Sequence, residues 1–532
     1  MFPVISTQKQ SFGIINLSLL EDNNFLIKTN SVVDKSDKED EKLNQKHWSL
    51  PLEKYHYDFI VKCVGIIMKE AVFDGTNRNS KVVQWQDPEK LKKSFDFSLN
   101  KYSETEGKLL HLISTIIKFS VKTGHPYFVN QLFSGVDPYG LIGQWLTDAL
   151  NPSVYTYEVS PVFSIMEEVV LEEMRKFIGF PNGKGDGTFC PGGSISNGFG
   201  ISCARYHLFP QVKKLGIYGI GLRLVLFTSR DAHYSIVKLA TFMGLGSDNV
   251  ISIKTDESGK MKPEELEKAI LKVLQEGGTP FMVSATSGTT VLGAFDPLDS
   301  IADICEKYKL WFHVDAAWGG GCLMSSIHKK KLQGIHRTDS VTWNPHKLLG
   351  VPQQCSAFLT KHKNLLKNVH CAKATYLFQK DKFYDVKYDT GDKHIQCGRR
   401  ADVLKFWFMW KAKGSSGFEK HINKIFETAL YFKKSIENKP DFQLVLSEPE
   451  CTNICFWYIP PRLQNSKYNN DDLNKVAPRM KEKMMKDGSM MITYQPLRHL
   501  PNFFRLVIVN SGLDTHDMDR LITIIQNAGA SI

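Results

Sequence analysis

Several features that mark particular classes of protein are missing from this sequence. The ten cysteines stand at irregular spacing without a C-x-x-C pair, which argues against a metal cluster or a disulfide framework and favours a reducing compartment. No apolar run is long enough to span a bilayer, and the N-terminus lacks the basic region and apolar core of a secretory signal. We therefore expect a cytoplasmic protein that binds no metal and has no membrane partner.

A strong charge of one sign is also absent. The formal net charge is +11 at pH 7, which is modest for 532 residues. The basic run Lys329–Lys331 is short and has no aromatic residues interleaved, so it is typical of a solvated surface. We expect no nucleic-acid partner, although a basic rim around a site would attract an acidic substrate.

The composition is that of a soluble protein of two or three domains. Apolar residues make up 42% of the chain and charged residues 23%. Residues 1–47 are rich in Ser, Asn, Asp and Lys without apolar periodicity, so we predict a disordered leader there. Amphipathic helices predicted at 57–71 and 108–123 make residues 48–150 a helical segment, which we expect at a subunit interface.

The middle of the chain alternates between predicted strands and helices. These elements are predicted at residues 224–228, 263–275, 281–285, 297–308 and 311–314. Such alternation is typical of an α/β fold whose mainly parallel sheet has helices on both faces and binds ligands at the carboxyl ends of its strands. We assign residues 151–400 to this large domain and 401–532 to a smaller α+β domain.

Three segments of the large domain carry chemistry that fits a single site. Lys347 ends the segment Ser340–Lys347, and a lysine held near neutral can form a Schiff base with a carbonyl. Asp315 follows a predicted strand, where an acid can keep a pyridine nitrogen protonated. Gly192–Asn197 precedes a predicted helix, whose backbone N–H groups can hold a phosphate. Together these segments predict a binding site for pyridoxal 5′-phosphate (PLP).

Three further polar residues are candidates, each with a structural alternative. His233 follows the strand at 224–228 and could stack on a flat ring or transfer a proton, but it could equally be a hydrogen-bonded core or capping histidine. Thr286 could bond a cofactor oxygen or belong to a plain turn. Arg505 lies among apolar strand residues and needs a partner, either a substrate carboxylate or a structural ion pair.

Five strings of residues together resemble the group II PLP decarboxylases, which include glutamate, cysteine sulfinate, aromatic amino acid and insect aspartate decarboxylases. The strings are His313–Gly320, Asn344–Lys347, Tyr376–Gln379, Asp389–Lys393 and Gln396–Arg400. The resemblance covers about residues 50–530. It implies the fold type I architecture of aspartate aminotransferase, in an obligate homodimer whose active sites are shared between subunits.

The resemblance also implies roles for individual residues. Lys347 resembles the lysine that binds the cofactor covalently, Asp315 the partner of the pyridine nitrogen, and His233 the histidine that stacks on the ring. Tyr376 resembles the tyrosine of a mobile loop that protonates the substrate carbon once carbon dioxide has left. The remaining positions are Ala317 beneath the ring, Thr286 near the ring hydroxyl, Gly193, Ser194 and Asn344 at the phosphate, and Gln131, Phe133 and Arg505 at the substrate.

The substrate implied by the resemblance depends on two departures. Gln353 stands where glutamate and cysteine sulfinate enzymes usually have leucine, and Gly198 stands where they usually have methionine; both features are similar to insect aspartate 1-decarboxylases. We therefore expect decarboxylation of L-aspartate to β-alanine, since the Gln353 amide could bond the distal carboxylate. Cysteine sulfinate is the alternative, glutamate is disfavoured by Phe133, and Gln353 could instead bond a local turn.

Two other classes of function stay open. The chain could be an inactive homologue that serves as a binding protein, although Lys347, Asp315, His233 and Tyr376 are all present. It could also be an aminotransferase, which would give a keto acid without carbon dioxide; the Tyr376 loop argues against this.

Overall fold

The computed structural model describes residues 52–464, 467–530 and 532; the predicted leader at 1–47 lies outside them. The described residues divide into a small unit, 52–63 with 98–111, and a main unit that contains the rest. No helix in this described part is both long enough and apolar enough to cross a membrane.

The α-helices are numbered α1 to α16 along the chain. They are α1 Lys54–Ile66, α2 Pro88–Ser94, α3 Glu106–Phe119, α4 Pro138–Leu150, α5 Pro161–Ile178, α6 Gly193–Leu208, α7 Val212–Leu215, α8 Ser235–Phe242, α9 Pro263–Gln275, α10 Leu298–Tyr308, α11 Leu365–His370, α12 Val403–Ile436, α13 Pro461–Gln464, α14 Asn470–Asn474, α15 Val476–Asp487 and α16 Thr515–Gly529. Helix α12 bends at Gly414, where φ is +65°. The sequence predicts two separate helices here, at 403–413 and 418–438, and they meet at this bend.

The strands are numbered β1 to β11. They are β1 Asp186–Cys190, β2 Leu224–Ser229, β3 Val250–Ile253, β4 Thr279–Thr286, β5 Trp311–Ala316, β6 Ser340–Trp343, β7 Ser356–Thr360, β8 Phe442–Leu444, β9 Asn453–Tyr458, β10 Thr493–Leu497 and β11 Leu500–Val507.

Strands β1 to β7 form the large sheet, in the order β1-β7-β6-β5-β4-β2-β3. Strands β2 to β6 pair in parallel, and β7 runs antiparallel between β6 and β1. The mainly parallel α/β sheet predicted from the alternation is therefore confirmed. The carboxyl ends of β1, β2, β4, β5 and β6 all lie at the same edge of the sheet.

Side chains of the large sheet alternate between two apolar cores, as the two-residue period of a strand requires. In β2, Leu224 and Leu226 pack with residues of α6 and α8, whereas Val225 and Phe227 pack with residues of α9 and α10. Both faces of the sheet are thus covered by helices. This explains why β2 reads as a continuous apolar run rather than an alternating one.

The C-terminal part contains a second, antiparallel sheet in the order β10-β11-β9-β8. Helices α15 and α16 pack beside it. The polar run at 465–472 predicts a loop, and this prediction is wrong from Asn470 on, where α14 begins. The Asn469 side chain accepts from the backbone N–H groups of Asp471 and Asp472, and this capping box starts the helix.

Candidate active site

A cavity of about 430 Å³ opens at the carboxyl-end edge of the large sheet. Strand β4 delivers Thr286 to it, β5 delivers Asp315, and the segment after β6 delivers Lys347. The loop after β2 adds His233, and the start of α6 adds Gly193. Residues far apart in the sequence converge here because parallel strands end at one edge.

Twelve of the thirteen predicted site residues line this cavity. They are Gln131, Phe133, Gly193, Ser194, His233, Thr286, Asp315, Ala317, Asn344, Lys347, Gln353 and Arg505. Tyr376 is not among the lining residues of its own chain, and its side chain is 78% exposed. The structure therefore brings together every predicted site residue except the one on the loop.

Lys347 lies in a turn directly after β6. Its backbone N–H donates to the carbonyl oxygen of Asn344 over 3.0 Å, which closes the turn, and the lysine lines the cavity. Burial lowers the pKa of the Lys347 amine, Arg505 acts in the same direction, and Asp315 opposes both. A lowered pKa favours the neutral amine, which is the form that attacks a carbonyl.

The carboxylate of Asp315 is fixed by two donors. Its Oδ1 accepts from the backbone N–H of Ala317 over 3.0 Å, and its Oδ2 accepts from Nδ2 of Asn197 over 2.8 Å. Each oxygen retains a lone pair for a ligand in the cavity. The side chain is 5% exposed, so the carboxylate is held rigidly in a largely dry environment.

The part of the cavity at the start of α6 is suited to an anion. Gly192 has φ +98°, and the 16-residue helix α6 starts at Gly193, so unpaired N–H groups of the first turn face the cavity. A Cβ at Gly193 would come within 2.6 Å of Nδ2 of Asn344, which explains why a glycine stands at that position.

His233 has both a structural hydrogen bond and a place in the cavity, so the structural and the functional interpretation of this residue both apply. Its Nδ1 accepts from the backbone N–H of Ser235 over 3.3 Å, which is a local structural bond, and its ring lines the cavity. Burial lowers the pKa of His233, with Asp315 opposing that effect and Lys347 adding to it. The neutral imidazole is therefore favoured at neutral pH.

Arg505 resolves one alternative left by the sequence. Its guanidinium donates to the carbonyl oxygens of Thr290 (2.7 Å) and Asn130 (3.2 Å), and no ion pair with a carboxylate is found in the described part of the chain. The structural ion pair considered from the sequence is therefore not formed. Arg505 is a buried cation at the cavity, balanced by backbone dipoles.

Polar atoms without partners show that the cavity fits PLP. Within residues 52–464, 467–530 and 532, three buried atoms of cavity-lining residues have no hydrogen-bond partner: Oγ1 of Thr286, Oδ1 of Asn344 and Nε of Arg505. Buried polar atoms are rarely left unpaired, so a polar ligand is expected to meet them. A lysine, an acid and a helix N-terminus surround the same space, and these match the aldehyde, the pyridine nitrogen and the phosphate of PLP.

Some cavity residues were not assigned a role from the sequence. The sequence singles out Asn197 only as the end of the segment Gly192–Asn197. It lies four residues after Gly193 and hence one helical turn further along α6. His346 and Gln354 are direct neighbours of predicted residues, and this adjacency was the one available signal. His346 is already bonded to the carbonyl oxygen of Cys355 over 2.7 Å, which gives it a structural role.

This fold and this cavity define a PLP-dependent enzyme. Residues 88–459 match the family model described as the pyridoxal-dependent decarboxylase conserved domain, so the chain belongs to that family, the group II PLP decarboxylases. It is a PLP-dependent carboxy-lyase, and its cofactor is PLP.

The similarity extends over most of the chain. The protein is 52% identical to an acidic amino acid decarboxylase, GADL1, of Xenopus tropicalis over 478 residues, which cover 89% of this chain and 93% of the relative. It is 51% identical to the human cysteine sulfinic acid decarboxylase over 472 residues, covering 88% of this chain and 95% of the relative. A crystal structure of mouse CSAD superimposes with a TM-score of 0.88 at 48% identity, covering 91% of this chain and all of that one.

Proposed function

We propose that the protein decarboxylates a small acidic amino acid and that L-cysteine sulfinate, giving hypotaurine, is its preferred substrate. The observation that carries this proposal is the 51% identity to cysteine sulfinic acid decarboxylase over nearly the whole of both chains. These relatives support cysteine sulfinate better than the aspartate substrate expected from the sequence. The buried cation of Arg505 beside the cavity also favours an anionic substrate side chain.

The cavity residues would bind the cofactor as follows. Nζ of Lys347 would hold the cofactor aldehyde, Asp315 the pyridine nitrogen, and Gly193 with the N-terminus of α6 the phosphate. When bound, PLP supplies the electron sink that takes up the electron pair left when the substrate's α-carboxylate departs as carbon dioxide. His233 and Ala317 would support the two faces of the ring, and Tyr376 would supply the proton that the α-carbon gains once carbon dioxide has left.

Aspartate is the second candidate substrate, because of one specific feature. The Gln353 side chain lines the cavity, and its amide can donate a hydrogen bond to a distal carboxylate. A cavity that contains such a donor disfavours a ligand that leaves it unpaired. Glutamate is the least favoured of the three, because Phe133 narrows the cavity for a longer side chain.

The direct test is release of carbon dioxide by the purified, PLP-loaded protein. Cysteine sulfinate, aspartate and glutamate are supplied separately, kcat/KM is determined for each, and hypotaurine or β-alanine is identified as product. The matched control is Lys347→Ala, which should lose the visible absorbance of bound PLP and all turnover above background, whereas Lys330→Ala at an exposed lysine should keep both.

The outcomes separate the candidates. The highest kcat/KM for cysteine sulfinate supports the proposal. A higher value for aspartate assigns the protein to aspartate and rules out cysteine sulfinate as the preferred substrate. Release from none of the three, with PLP bound, would contradict the proposed function and favour a binding protein; a keto acid formed without carbon dioxide would identify an aminotransferase.

We further propose that a second copy of the chain completes the site. Helix α4 exposes the apolar stripe Tyr139, Ile142, Leu146 and Leu150, with exposures between 45% and 57%. Helix α5 exposes a second stripe, and both helices pack against α12. Apolar stripes of this size are usually covered by a partner. Since Tyr376 does not line the cavity of its own chain, we assign it to the cavity of the partner subunit.

A further inference from the structure

A chain of buried polar side chains connects the interior of the large sheet to Asp315. Nε1 of Trp311 donates to Oγ of Ser340 over 2.9 Å, and this Oγ lies 2.8 Å from Nδ1 of His313. Nε2 of His313 lies 3.1 Å from Oδ1 of Asn197, whose Nδ2 donates to Asp315 over 2.8 Å. All five residues are at most 5% exposed. The three residues beyond Asn197, namely His313, Ser340 and Trp311, have so far been given no role.

The Asp315 end of this chain determines the direction of its hydrogen bonds. The indole N–H of Trp311 can only donate, and an ionised carboxylate at Asp315 can only accept. Asn197 must therefore accept at its Oδ1 from Nε2–H of His313; Nδ1 of the neutral ring is then an acceptor, to which Ser340 donates. The amide N–H groups of Asn197 are then left for Asp315 and for Oγ of Ser235, which lies 2.9 Å away.

This arrangement requires a neutral His313 that carries its proton on Nε2. Burial lowers the pKa of His313 to about 4, although the charge of Asp315 opposes the shift. Thr342 is a weaker alternative partner, since its Oγ1 lies 3.5 Å from Nε2 of His313. The hydroxyl of Thr342 is bonded to Ser196 over 2.8 Å, so it can accept from His313 without disturbing the direction of the chain.

Strands β5 and β6 and helix α6 hold these groups together. The register of β5 and β6 pairs His313 with Ser340. Helix α6 places Asn197 one turn after its own N-terminus, and it packs so closely that a Cβ at Gly200 would come within 2.9 Å of the His313 ring. The helix whose N-terminus lies at the phosphate end of the cavity therefore also carries the amide that holds Asp315.

We propose that His313 and Asn197 are positioning residues for the cofactor: His313 orients the amide of Asn197, and this amide holds the Asp315 carboxylate in place for the pyridine nitrogen of PLP. Without the histidine donor, the amide can rotate and present its oxygen to the carboxylate, which would repel the carboxylate instead of binding it. The inference rests on the proposed role of Asp315. It adds two residues that do not themselves bond the cofactor.

The test uses the PLP-loaded protein and two measurements besides activity. These are the rate of PLP loss after dilution into cofactor-free buffer, and the pH midpoint of the visible absorbance of bound PLP. His313→Leu and Asn197→Leu should each release PLP at least about tenfold faster and shift the midpoint, because a hydrogen bond to a charged group is lost. His313→Gln keeps a donor at the Nε2 position and should restore both measurements to near the wild-type values.

The controls separate this inference from a general packing effect. His370→Leu makes the same substitution at another partly buried histidine, which bonds Ser202 and a backbone carbonyl but not Asp315, and should behave like the wild type. If folded His313→Leu and Asn197→Leu proteins also behave like the wild type, the inference is wrong. If His313→Gln is as defective as His313→Leu, ring packing rather than the donor is responsible, and the inference is again wrong.

Two further results keep the test decisive. Should His313→Leu fail to fold, Asn197→Leu decides the question with the same two measurements. Asp315→Asn tests the underlying role separately: release of PLP at the wild-type rate by this variant would overturn the proposed role of Asp315 and this inference with it. A defect in Asp315→Asn alone would overturn only the roles of His313 and Asn197.

Discussion

At the scale of single residues, burial decides how the cavity works. Burial lowers the pKa values of both Lys347 and His233, and so favours their neutral forms. Arg505 stays a cation because arginine does not lose its proton in proteins. The cavity therefore combines one permanent positive charge with bases that are able to accept a proton. This combination suits an anionic substrate whose amine must lose a proton before reaction and whose α-carbon must gain one after carbon dioxide leaves.

The role of Gln353 is tested by changing its amide to an aliphatic side chain. We expect Gln353→Leu to lower kcat/KM for aspartate about tenfold relative to that for cysteine sulfinate, because a hydrogen bond to the shorter carboxylate is lost. Steady-state kinetics with both substrates gives this ratio. Gln354→Leu, at the neighbouring cavity residue, is the control; an unchanged ratio in Gln353→Leu would contradict the role given to the amide.

At the scale of elements, one arginine ties the small sheet to the loop that carries His233. Arg498 lies in the turn between β10 and β11 with φ +55°, and its guanidinium bonds Asp231, Oγ1 of Thr255 and the carbonyl oxygen of Asp256. Asp231 stands two residues before His233. The tie is buried, since the side chains of Arg498 and Asp231 are 13% and 7% exposed. The position of His233 therefore depends on the C-terminal sheet.

Breaking this tie should destabilise the protein and weaken cofactor binding. We expect Arg498→Leu to cost about 3 kcal/mol of unfolding free energy, because Asp231 is left as a buried charge without its partner. Chemical denaturation measures this loss, and PLP titration measures the effect on the cavity. The double variant Asp231→Leu/Arg498→Leu should recover part of the loss. Equal stability of Arg498→Leu and the wild type would show that the tie contributes nothing.

At the scale of the whole molecule, the position of Tyr376 leads to a prediction about subunits. We expect Lys347→Ala and Tyr376→Phe to be nearly inactive alone, since one lacks the amine and the other the phenol that would protonate the substrate carbon. Tyr376→Phe should also gain oxidative or transamination side products. When the two are co-expressed with different tags, purified heterodimers should regain about half of wild-type activity, because one of the two sites in each heterodimer has both groups.

Two results of this experiment would contradict the role given to Tyr376. No recovery in purified heterodimers would place Tyr376 in the site of its own chain, or in no site at all. Normal decarboxylation by Tyr376→Phe alone would contradict the assignment of the loop. Tyr218→Phe, at a 99% exposed tyrosine elsewhere, should behave like the wild type in every assay.

The buried histidines predict how the stability of the whole molecule depends on pH. Burial lowers the pKa to about 4 for His313, His328, His346, His370 and His421, and to about 3 for His394. The unfolded chain takes up protons near pH 6.5 while the folded chain does not, so stability should fall as pH drops from 7 to 5, by up to about 2 kcal/mol for each histidine. Asp296, whose pKa burial raises to about 7, acts in the opposite direction.

Denaturation midpoints at pH 7, 6 and 5 and constant ionic strength measure this dependence. His370→Leu removes one of the six groups and should reduce the slope. A midpoint that stays constant across this range would contradict the prediction.

The sequence by itself determined the class of fold and the chemistry of the cavity. Alternating strand and helix patterns predict a parallel sheet. The chemical roles of Asp315 and Lys347 can be predicted from the short motifs that contain them. The helix 263–275 was predicted with its observed bounds because Pro263 marks its start. Strands β1, β3 and β7 were not predicted. In β1 the reason is that Asp186–Cys190 is short and begins with two residues that disfavour strands.

Only the tertiary structure decided which distant side chains meet. Asn197 and Asp315 are separated by 118 positions, and Arg498 and Asp231 by 267, so no local pattern indicates either contact. Local sequence determines backbone periodicity and the kind of side chain present. The order of strands in a sheet and the packing of a helix across it determine the partners of each side chain. The hydrogen-bond chain through His313 and the place of Tyr376 outside its own cavity are therefore properties of the folded molecule.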